Sequence, residues 1–159
     1  MKHILSLISL CLLTSPAVCQ EANPPHWYAD FDKAATAAEK EGKDLLVDFT
    51  GSDWCGWCIR LDEEVFDHEA FLAPISQNYI LLKLDFPNSE EVKAKVPNPA
   101  RNAELSEKYD VAGFPTILLM NSSGEVFAST GYEQGGPEAY VGHLGEKCFT
   151  GFVIDERQK

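Results

Sequence analysis

The chain has 159 residues, 45% of them hydrophobic and 11% aromatic, which is enough for one folded domain with a substantial core. Its formal net charge of -12 argues against nucleic acid as a partner, because binding to phosphates relies on a basic surface. We interpret the acidity as a source of solubility, and we expect a monomer.

The first 19 residues have the layout of a secretory signal peptide. Lys2 supplies a positive start, and Ile4 to Leu13 form an apolar core that is too short to span a bilayer. Small residues then fit cleavage after Ala17 or after Cys19, and we prefer the second site. The sequence therefore predicts a flexible leader over 20–26 and a secreted or periplasmic protein, with no membrane span once the signal is removed.

Hydrophobic spacing predicts helices and strands in alternation, an order that favours parallel strand pairing. The first half contains, in order, a helix over 30–41 ended by Gly42, a buried strand over 45–49, a helix that starts at Cys55, a short helix capped by Asp67, and a strand over 79–85. Residues 86–102 include several prolines, and we interpret them as a surface excursion with one or two turns of helix.

The second half of the chain predicts a helix over 103–109, a strand over 116–120, and a hairpin that leads to a strand over 126–128. A last helix is expected from Pro137 to Cys148, because proline is tolerated in the first turn of a helix. One domain would then cover 27–150, followed by a C-terminal tail over 151–159.

Two cysteines, Cys55 and Cys58, lie three positions apart in the stretch 54–58, whose sequence is Trp-Cys-Gly-Trp-Cys. Thiols at this spacing can form and break a reversible disulfide. Residues 51–53 supply a turn and a helix cap, and a helix that starts at Cys55 would put unpaired N–H groups and the positive end of its dipole next to the first thiol. This environment favours the thiolate, so the predicted chemistry is thiol–disulfide exchange.

Export places the chain in an oxidising compartment, where structural disulfides persist. One close pair plus the distant Cys148 does not make a framework of structural disulfides. We interpret Cys148 as a buried apolar residue of the last helix, and pairing with Cys19 is the alternative if that residue is retained.

Other uses of the cysteine pair find little support in the sequence. A zinc site needs four ligands, and the histidines His26, His68 and His143 show no ligand-like spacing to the pair. Haem attachment needs a histidine directly after Cys58, where the chain has Ile59. A cysteine hydrolase that uses His143 lacks an oxyanion-hole or base-orienting motif. We therefore expect no metal and no cofactor, and a purely structural disulfide is the remaining alternative.

Further residues give the cysteine pair a recognisable context. Four features occur in order: the strand Leu46-Val47-Asp48-Phe49, the centre Trp54-Cys55-Gly56-x-Cys58, the strand Leu82-Lys83-Leu84-Asp85, and the segment Val111-Ala112-Gly113-Phe114-Pro115-Thr116. With them the chain resembles the thioredoxin-fold family of thiol–disulfide oxidoreductases over most of residues 27–148, and more narrowly exported bacterial thioredoxin-like proteins. The resemblance implies a three-layer α/β fold, with a central mixed β-sheet flanked by helices.

The resemblance also implies catalytic roles. Cys55 would be the attacking thiol and Cys58 the resolving thiol of an exchange that runs through a mixed disulfide. Asp48 matches the family's buried acid, which helps to deprotonate the resolving thiol, and a carboxylate in an apolar strand should have a raised pKa. Lys83 would be its charged neighbour on the adjacent strand. Six residues separate Asp48 from Cys55, one more than the usual family spacing, and an acid that faces solvent on an edge strand is the alternative.

Residues around the pair are implied as substrate contacts. Pro115 matches the family's cis-proline, which lets the backbone of Phe114 pair with an extended substrate. Trp54 and Trp57 flank the pair as an exposed contact surface, together with Gly56. The implied partners are protein thiol or disulfide substrates and a redox partner protein.

Trp57 stands where reducing thioredoxins carry proline. Because the residues between the cysteines tune the relative stability of dithiol and disulfide, reduction, oxidation and isomerisation all stay open. A function of another class is a redox-inert binding or chaperone-like module that uses the groove near Phe114 and Pro115. A third alternative is a subunit of an envelope assembly.

Overall fold

The computed structural model describes residues 26–155, with side chains up to Lys147. The predicted signal peptide, nearly all of the leader and the side chain of Cys148 lie outside the described residues. The strands are β1 (Trp27–Tyr28), β2 (Asp44–Thr50), β3 (Tyr79–Asp85), β4 (Thr116–Met120) and β5 (Val126–Thr130). The helices are α1 (Phe31–Glu41), α2 (Gly56–Leu61), α3 (Glu69–Ile75), α4 (Glu90–Lys93), α5 (Pro99–Lys108) and α6 (Gly136–Asp155), and a π-helical turn, Asp62–Phe66, follows α2. Between residues 26 and 155 no helix has both the length and the apolar character needed to cross a membrane.

The strands form one mixed sheet in the order β1-β3-β2-β4-β5. β3 pairs in parallel with both β1 and β2, whereas β4 runs antiparallel to both β2 and β5. Parallel strands need a long crossover, and between β2 and β3 this crossover consists of α2, the π-helical turn and α3. The predicted central mixed sheet is confirmed.

Alternate residues of each strand pack into two cores on opposite faces of the sheet. Leu45, Val47 and Phe49 of β2 lie in the core that the sheet shares with α1 and α5. Leu46 faces the other way, into a core with Leu61 of α2 that also takes in the π-helical turn, α3 and α6. Helices thus cover both faces, and the predicted three-layer α/β fold is confirmed.

The first helix begins and ends where its sequence signals predict. The side chain of Asp30 accepts the backbone N–H of Lys33 at 3.1 Å, which caps the N-terminus. Gly42 follows the last turn with a φ of 64°, a left-handed conformation that glycine adopts at little cost. Phe31, Ala34 and Ala38 between them are buried against the sheet.

The segment predicted as a surface excursion, 86–102, contains more helix than expected. It includes α4 and the start of α5, whose N-cap is Asn98. Asn102 is 1% exposed, and its side chain donates to the carbonyl of Asp85 at 3.3 Å. The prediction of a helix that begins only at Ala103 is therefore wrong, because an asparagine followed by a proline is itself a signal for the start of a helix.

Three smaller differences concern the ends and the number of elements. The N-cap of α3 is His68 rather than Asp67. α6 runs to Asp155, beyond the expected end at Cys148. β1 was missed because a strand of two residues is too short to show any alternation.

Candidate active site

Cys55 and Cys58 are joined by a disulfide at the start of α2, and their Cα atoms are 5.2 Å apart. Cys55 is the N-cap, one residue before the helix, and its Sγ accepts the backbone N–H of Cys58 at 3.2 Å. An amide of the first helical turn points at this sulfur, so it stabilises a thiolate on Cys55 when the bond is reduced. Both residues are buried, and Cys55, at 7% exposed, is more accessible than Cys58, at 2%.

The loop before the cysteine pair is hydrogen-bonded to the residues at the end of β3. Asp85 accepts both the backbone N–H and the hydroxyl of Ser52, at 2.9 and 2.6 Å. The indole N–H of Trp54 donates to the carbonyl of Phe86 at 2.8 Å, and the N–H of Phe86 donates to the carbonyl of Thr50 at 2.9 Å. The position of the loop that leads into Cys55 therefore depends on residues 85–86.

Asp53 extends this connection toward α4. Its carboxylate accepts the backbone N–H groups of Asn88 and Ser89 at 2.9 and 2.7 Å, and these hydrogen bonds lower the pKa of Asp53. The prediction that residues 51–53 cap the dithiol helix is wrong, because Cys55 takes the N-cap position. Asp53 instead holds the residues that precede α4.

The indole of Trp54 packs between its own loop and the segment before β4. A Cβ on Gly51 would lie 2.6 Å from the Trp54 ring, so only glycine leaves room for the indole there. The ring meets Phe114 edge to face, with centroids 5.8 Å apart. The peptide bond between Phe114 and Pro115 is cis. Residues far apart in sequence thus form one surface with Trp54, directly before Cys55 in the chain.

Trp57, the second exposed indole, is held by contacts that sequence reasoning did not predict. Its ring centroid is 5.0 Å from that of Tyr132 and 5.7 Å from the guanidinium carbon of Arg60. Glu64 accepts the hydroxyl of Tyr132 at 2.6 Å and is ion-paired with Arg60 at 2.8 Å. The hydrogen bond to Glu64 also raises the pKa of Tyr132.

Asp48 is 1% exposed in β2, which lies between β3 and β4, so the alternative of a solvent-facing acid on an edge strand is excluded. It shares a face of β2 with Leu46, and α2 packs on that face. The pKa of Asp48 is raised to about 8, mainly because the carboxyl is buried. The positive charge of Lys83 opposes this rise, and the carboxylates of Asp62 and Asp85 add to it. Oδ1 of Asp48 has no hydrogen-bond partner within the described part of the chain.

Lys83 lies opposite Asp48 in the register of β2 with β3. Its ammonium group is ion-paired with Asp62 in the π-helical turn and lies 4.8 Å from the ring centroid of Trp27. A cleft of about 290 Å³ borders this ion pair and is lined by Trp27, Thr50, Asp62, Lys83, Asp85 and Val96, among others. Solvent therefore reaches the charged neighbours of Asp48.

Several site residues escaped sequence reasoning: Asp62, Glu64, Arg60 and Tyr132. Asp62 follows Cys58 by four positions and so lies on the same helix face, a signal that the sequence contains. Tyr132 comes from the loop after β5, and no sequence spacing connects it with Trp57. Among residues 26–155, no group of three or more His, Cys, Asp or Glu side chains is arranged to hold a metal ion.

The Cys55–Cys58 disulfide lies at the N-terminus of α2, next to a mixed sheet with the strand order β1-β3-β2-β4-β5. This is the arrangement of thioredoxin-fold proteins that exchange thiols and disulfides, and the protein is a thiol–disulfide oxidoreductase. The chain belongs to the family described as thioredoxin-like domain, whose model matches residues 31–141.

Two groups of relatives agree with this assignment. The disulfide bond reductase DsbH of Chlamydia pneumoniae is 29% identical, over 72% of this chain and 68% of its own. The thiol:disulfide interchange protein DsbD of Actinobacillus pleuropneumoniae serotype 5b (strain L20) is 29% identical over 61% of this chain, but this is 14% of its own length. The solved structure of a DsbH oxidoreductase matches with a TM-score of 0.65 and 27% identity, and covers 88% of this chain and 94% of its own. The chain thus spans most of DsbH and a small part of DsbD.

Proposed function

We propose that this protein is an exported oxidoreductase that reduces disulfides of protein substrates through Cys55 and Cys58. The observation that carries the proposal is the hydrogen bond from the N–H of Cys58 to the Sγ of Cys55, because it stabilises a thiolate on the more accessible cysteine. The reducing direction is supported by the similarity to DsbH, which is named as a disulfide bond reductase.

In the proposed reaction the reduced protein starts with a Cys55 thiolate and a Cys58 thiol. Cys55 attacks one sulfur of the substrate disulfide, a mixed disulfide forms, and the other substrate sulfur leaves as a thiolate. Cys58 then loses its proton and attacks the sulfur of Cys55, which releases the second substrate thiolate and closes the Cys55–Cys58 disulfide. Two electrons pass to the substrate, and a redox partner protein of the dithiol class returns them.

Asp48 is the proposed acceptor of the Cys58 proton. It accepts this proton in its ionised form, which is the minor form at neutral pH because its pKa is about 8. That value lies close to the value of about 8.5 for a free thiol, so proton transfer between the two groups costs little in either direction. Its position on the face of β2 that α2 covers, and an Oδ1 with no described partner, support this role. Lys83 and its ion pair with Asp62 would tune this pKa without taking part in the transfer.

The surface around the disulfide is the proposed substrate site. Trp54 and Trp57 are 47% and 54% exposed and offer apolar contact area. Phe114 and Pro115 offer backbone groups for strand-like pairing with an extended chain. A Cβ on Gly56 would meet no atom within 4 Å, so the space beside this residue is open. Backbone pairing reads no side-chain sequence, which fits a broad range of flexible substrates.

A trapping experiment tests the proposal. Cys58→Ala removes the resolving thiol, so it should accumulate mixed disulfides with substrate proteins through Cys55, visible on nonreducing gels. Cys55→Ala is the matched control, because it keeps one cysteine of the pair but has no attacking thiol. The absence of any trapped protein, together with no reduction of insulin by the wild type, would contradict the proposal.

Two further measurements test the direction of electron transfer and the alternative function as a redox-inert binding module. Equilibration with glutathione buffers should give a reduction potential near that of thioredoxin, about -270 mV, whereas a value near -120 mV would indicate an oxidant. The redox-inert binding module predicts that a protein with both Cys55→Ser and Cys58→Ser keeps its function. Loss of function in that variant would exclude the binding module.

The proposal also includes export, which is supported by the signal-like N-terminus and by the similarity to Dsb proteins. We expect a mature chain that begins after Cys19 or Ala17, with a leader up to residue 26 and a domain over 27–150. The mass of the protein recovered from a periplasmic extract gives the cleavage site. An uncleaved chain confined to the cytoplasm would contradict export.

A further inference from the structure

The indole of Trp57 has fixed neighbours although 54% of the residue is exposed. Tyr132, from the loop after β5, lies against it with the two rings inclined at 42°, and Arg60 of α2 places its guanidinium over the same ring. An exposed tryptophan without such contacts would sample several rotamers. These contacts therefore hold the ring in place directly before Cys58 in the chain.

Glu64 connects the two groups that contact the indole. Its Oε2 accepts the hydroxyl of Tyr132 at 2.6 Å, and its Oε1 pairs with Nε of Arg60 at 2.8 Å. Both carboxylate oxygens are therefore in use, one for each neighbour of Trp57. Hydrogen bonds to a charged group are stronger and more directional than neutral ones, so a single side chain defines where the aromatic ring and the cation lie.

We propose that Glu64 is a positioning residue for substrate recognition, which holds Arg60 and Tyr132 against Trp57 and so fixes the indole as one wall of the entrance to the disulfide. The inference rests on the proposed function. Because Cys55 is 7% exposed, a polypeptide that brings its own disulfide to this sulfur must pack against the surrounding surface. Because the indole is already ordered in the free protein, substrate binding does not incur the entropy cost of ordering it.

The substrate class that benefits is a flexible polypeptide whose disulfide lies close to residues that can pack on an indole. Tryptophan is among the residues that contribute most to binding when they are held in place. A small disulfide such as oxidised glutathione makes too little contact to gain from the wall. The positioning role of Glu64 therefore appears in the KM for polypeptides and not in the chemical step.

Glu64→Gln is the test variant, because the amide keeps the size of the side chain but has one acceptor oxygen and no charge. We expect the KM for insulin to rise about fivefold, while kcat and the rate with oxidised glutathione stay unchanged. Tyr132→Phe removes the hydroxyl of the same connection and should raise the KM by a similar factor. The double variant should be no worse than either single variant, because both changes break one connection.

Stability measurements separate this role from a merely structural one. The side chains of Arg60 and Glu64 are 50% and 40% exposed, and ion pairs at such exposure contribute little to folding. The melting temperature of Glu64→Gln should therefore stay close to that of the wild type. A clear fall in melting temperature with an unchanged KM would overturn the inference.

Two matched controls complete the experiment. Glu63→Gln removes the same charge one position away, from an exposed side chain that makes no hydrogen bond or ion pair among the described residues. Tyr109→Phe removes a hydroxyl that donates to the carbonyl of Gly124 at 3.0 Å, at the core on the other face of the sheet. Neither control should change the KM. An equal rise for Glu63→Gln and Glu64→Gln, or no rise for either, overturns the inference, whereas a wild type that reduces no disulfide contradicts the proposed function itself.

Discussion

Lys83 lies opposite Asp48 in the register of β2 with β3, but its ammonium group is ion-paired with Asp62. The cation therefore acts on Asp48 through space and is not its hydrogen-bond partner. The carboxylates of Asp62 and Asp85 oppose its effect on the pKa of Asp48. Burial is the largest influence, and it leaves Asp48 as an acid that holds its proton up to a pH of about 8.

Asp62→Asn and Lys83→Met are expected to move the pKa of Asp48 in opposite directions. The first change removes a carboxylate that raises the pKa and frees Lys83 from its ion pair, so the pKa falls. The second change removes the cation that lowers the pKa, so the pKa rises. An NMR titration of the Asp48 carboxyl in the oxidised protein measures both shifts. Shifts of the same sign would contradict this electrostatic account.

Asp48→Asn is expected to stabilise the protein more at pH 9 than at pH 4. Between the unfolded pKa of about 4 and the folded pKa of about 8, the folded chain keeps a proton that the unfolded chain has released. The unfolded state then binds fewer protons, so the stability of the wild type falls as the pH rises through this window. Asparagine is neutral at every pH and escapes this loss.

A rise in pKa from about 4 to about 8 corresponds to a gain at pH 9 on the order of 3–6 kcal/mol relative to pH 4. Urea unfolding of the oxidised wild type and of Asp48→Asn, at a series of pH values, gives the difference directly. A difference that does not vary with pH would show that Asp48 titrates at its ordinary value in the folded protein.

Strands β2 to β5 and the first helix could be predicted because their signals are local. The runs 45–49 and 79–85 are mostly apolar because those strands are buried on both faces of the sheet. The start of α5 was missed because the prolines around Asn98 were taken as loop signals, although proline is also common in the first turn of a helix. Local patterns thus predict elements more safely than their ends.

Local sequence patterns alone identified the candidate site only where its residues are close in sequence, whereas Asp48, Lys83, Phe114 and Pro115 were predicted from the family resemblance. Cys55 and Cys58 lie within one helical turn, so their spacing alone indicates that they are close. The ion pair of Lys83 with Asp62 joins β3 to the turn after α2, and no sequence spacing predicts it. The loop between Asp48 and Cys55, which is one residue longer than usual, could not be interpreted from local sequence either. In the structure, Asp53 of this loop accepts the backbone N–H groups that precede α4, a tertiary contact that no local pattern indicates.

Gly51→Ala is expected to destabilise the protein through Trp54. The new Cβ would lie 2.6 Å from the indole, so the ring must move and its hydrogen bond to the carbonyl of Phe86 must break or lengthen. Overpacking of this kind costs about 1–3 kcal/mol. Gly56→Ala is the matched control, since a Cβ there meets no atom within 4 Å, and it should leave the free energy of unfolding within about 1 kcal/mol of the wild type. Urea unfolding compares the two, and equal stability would exclude the predicted clash.

Asp53→Ala is expected to release the segment that precedes α4 without unfolding the domain. The variant loses the acceptor for the N–H groups of Asn88 and Ser89, so these two amides should exchange with solvent several-fold faster while the amides of β3 keep their protection. Asp53→Asn keeps one acceptor oxygen and should lie between the wild type and Asp53→Ala. Because the hydrogen bonds lower the pKa of Asp53, the protection in the wild type is complete at neutral pH and is lost as the pH falls through the folded pKa. Exchange at Asn88 and Ser89 that is the same in all three proteins would mean that these amides are protected by something other than Asp53.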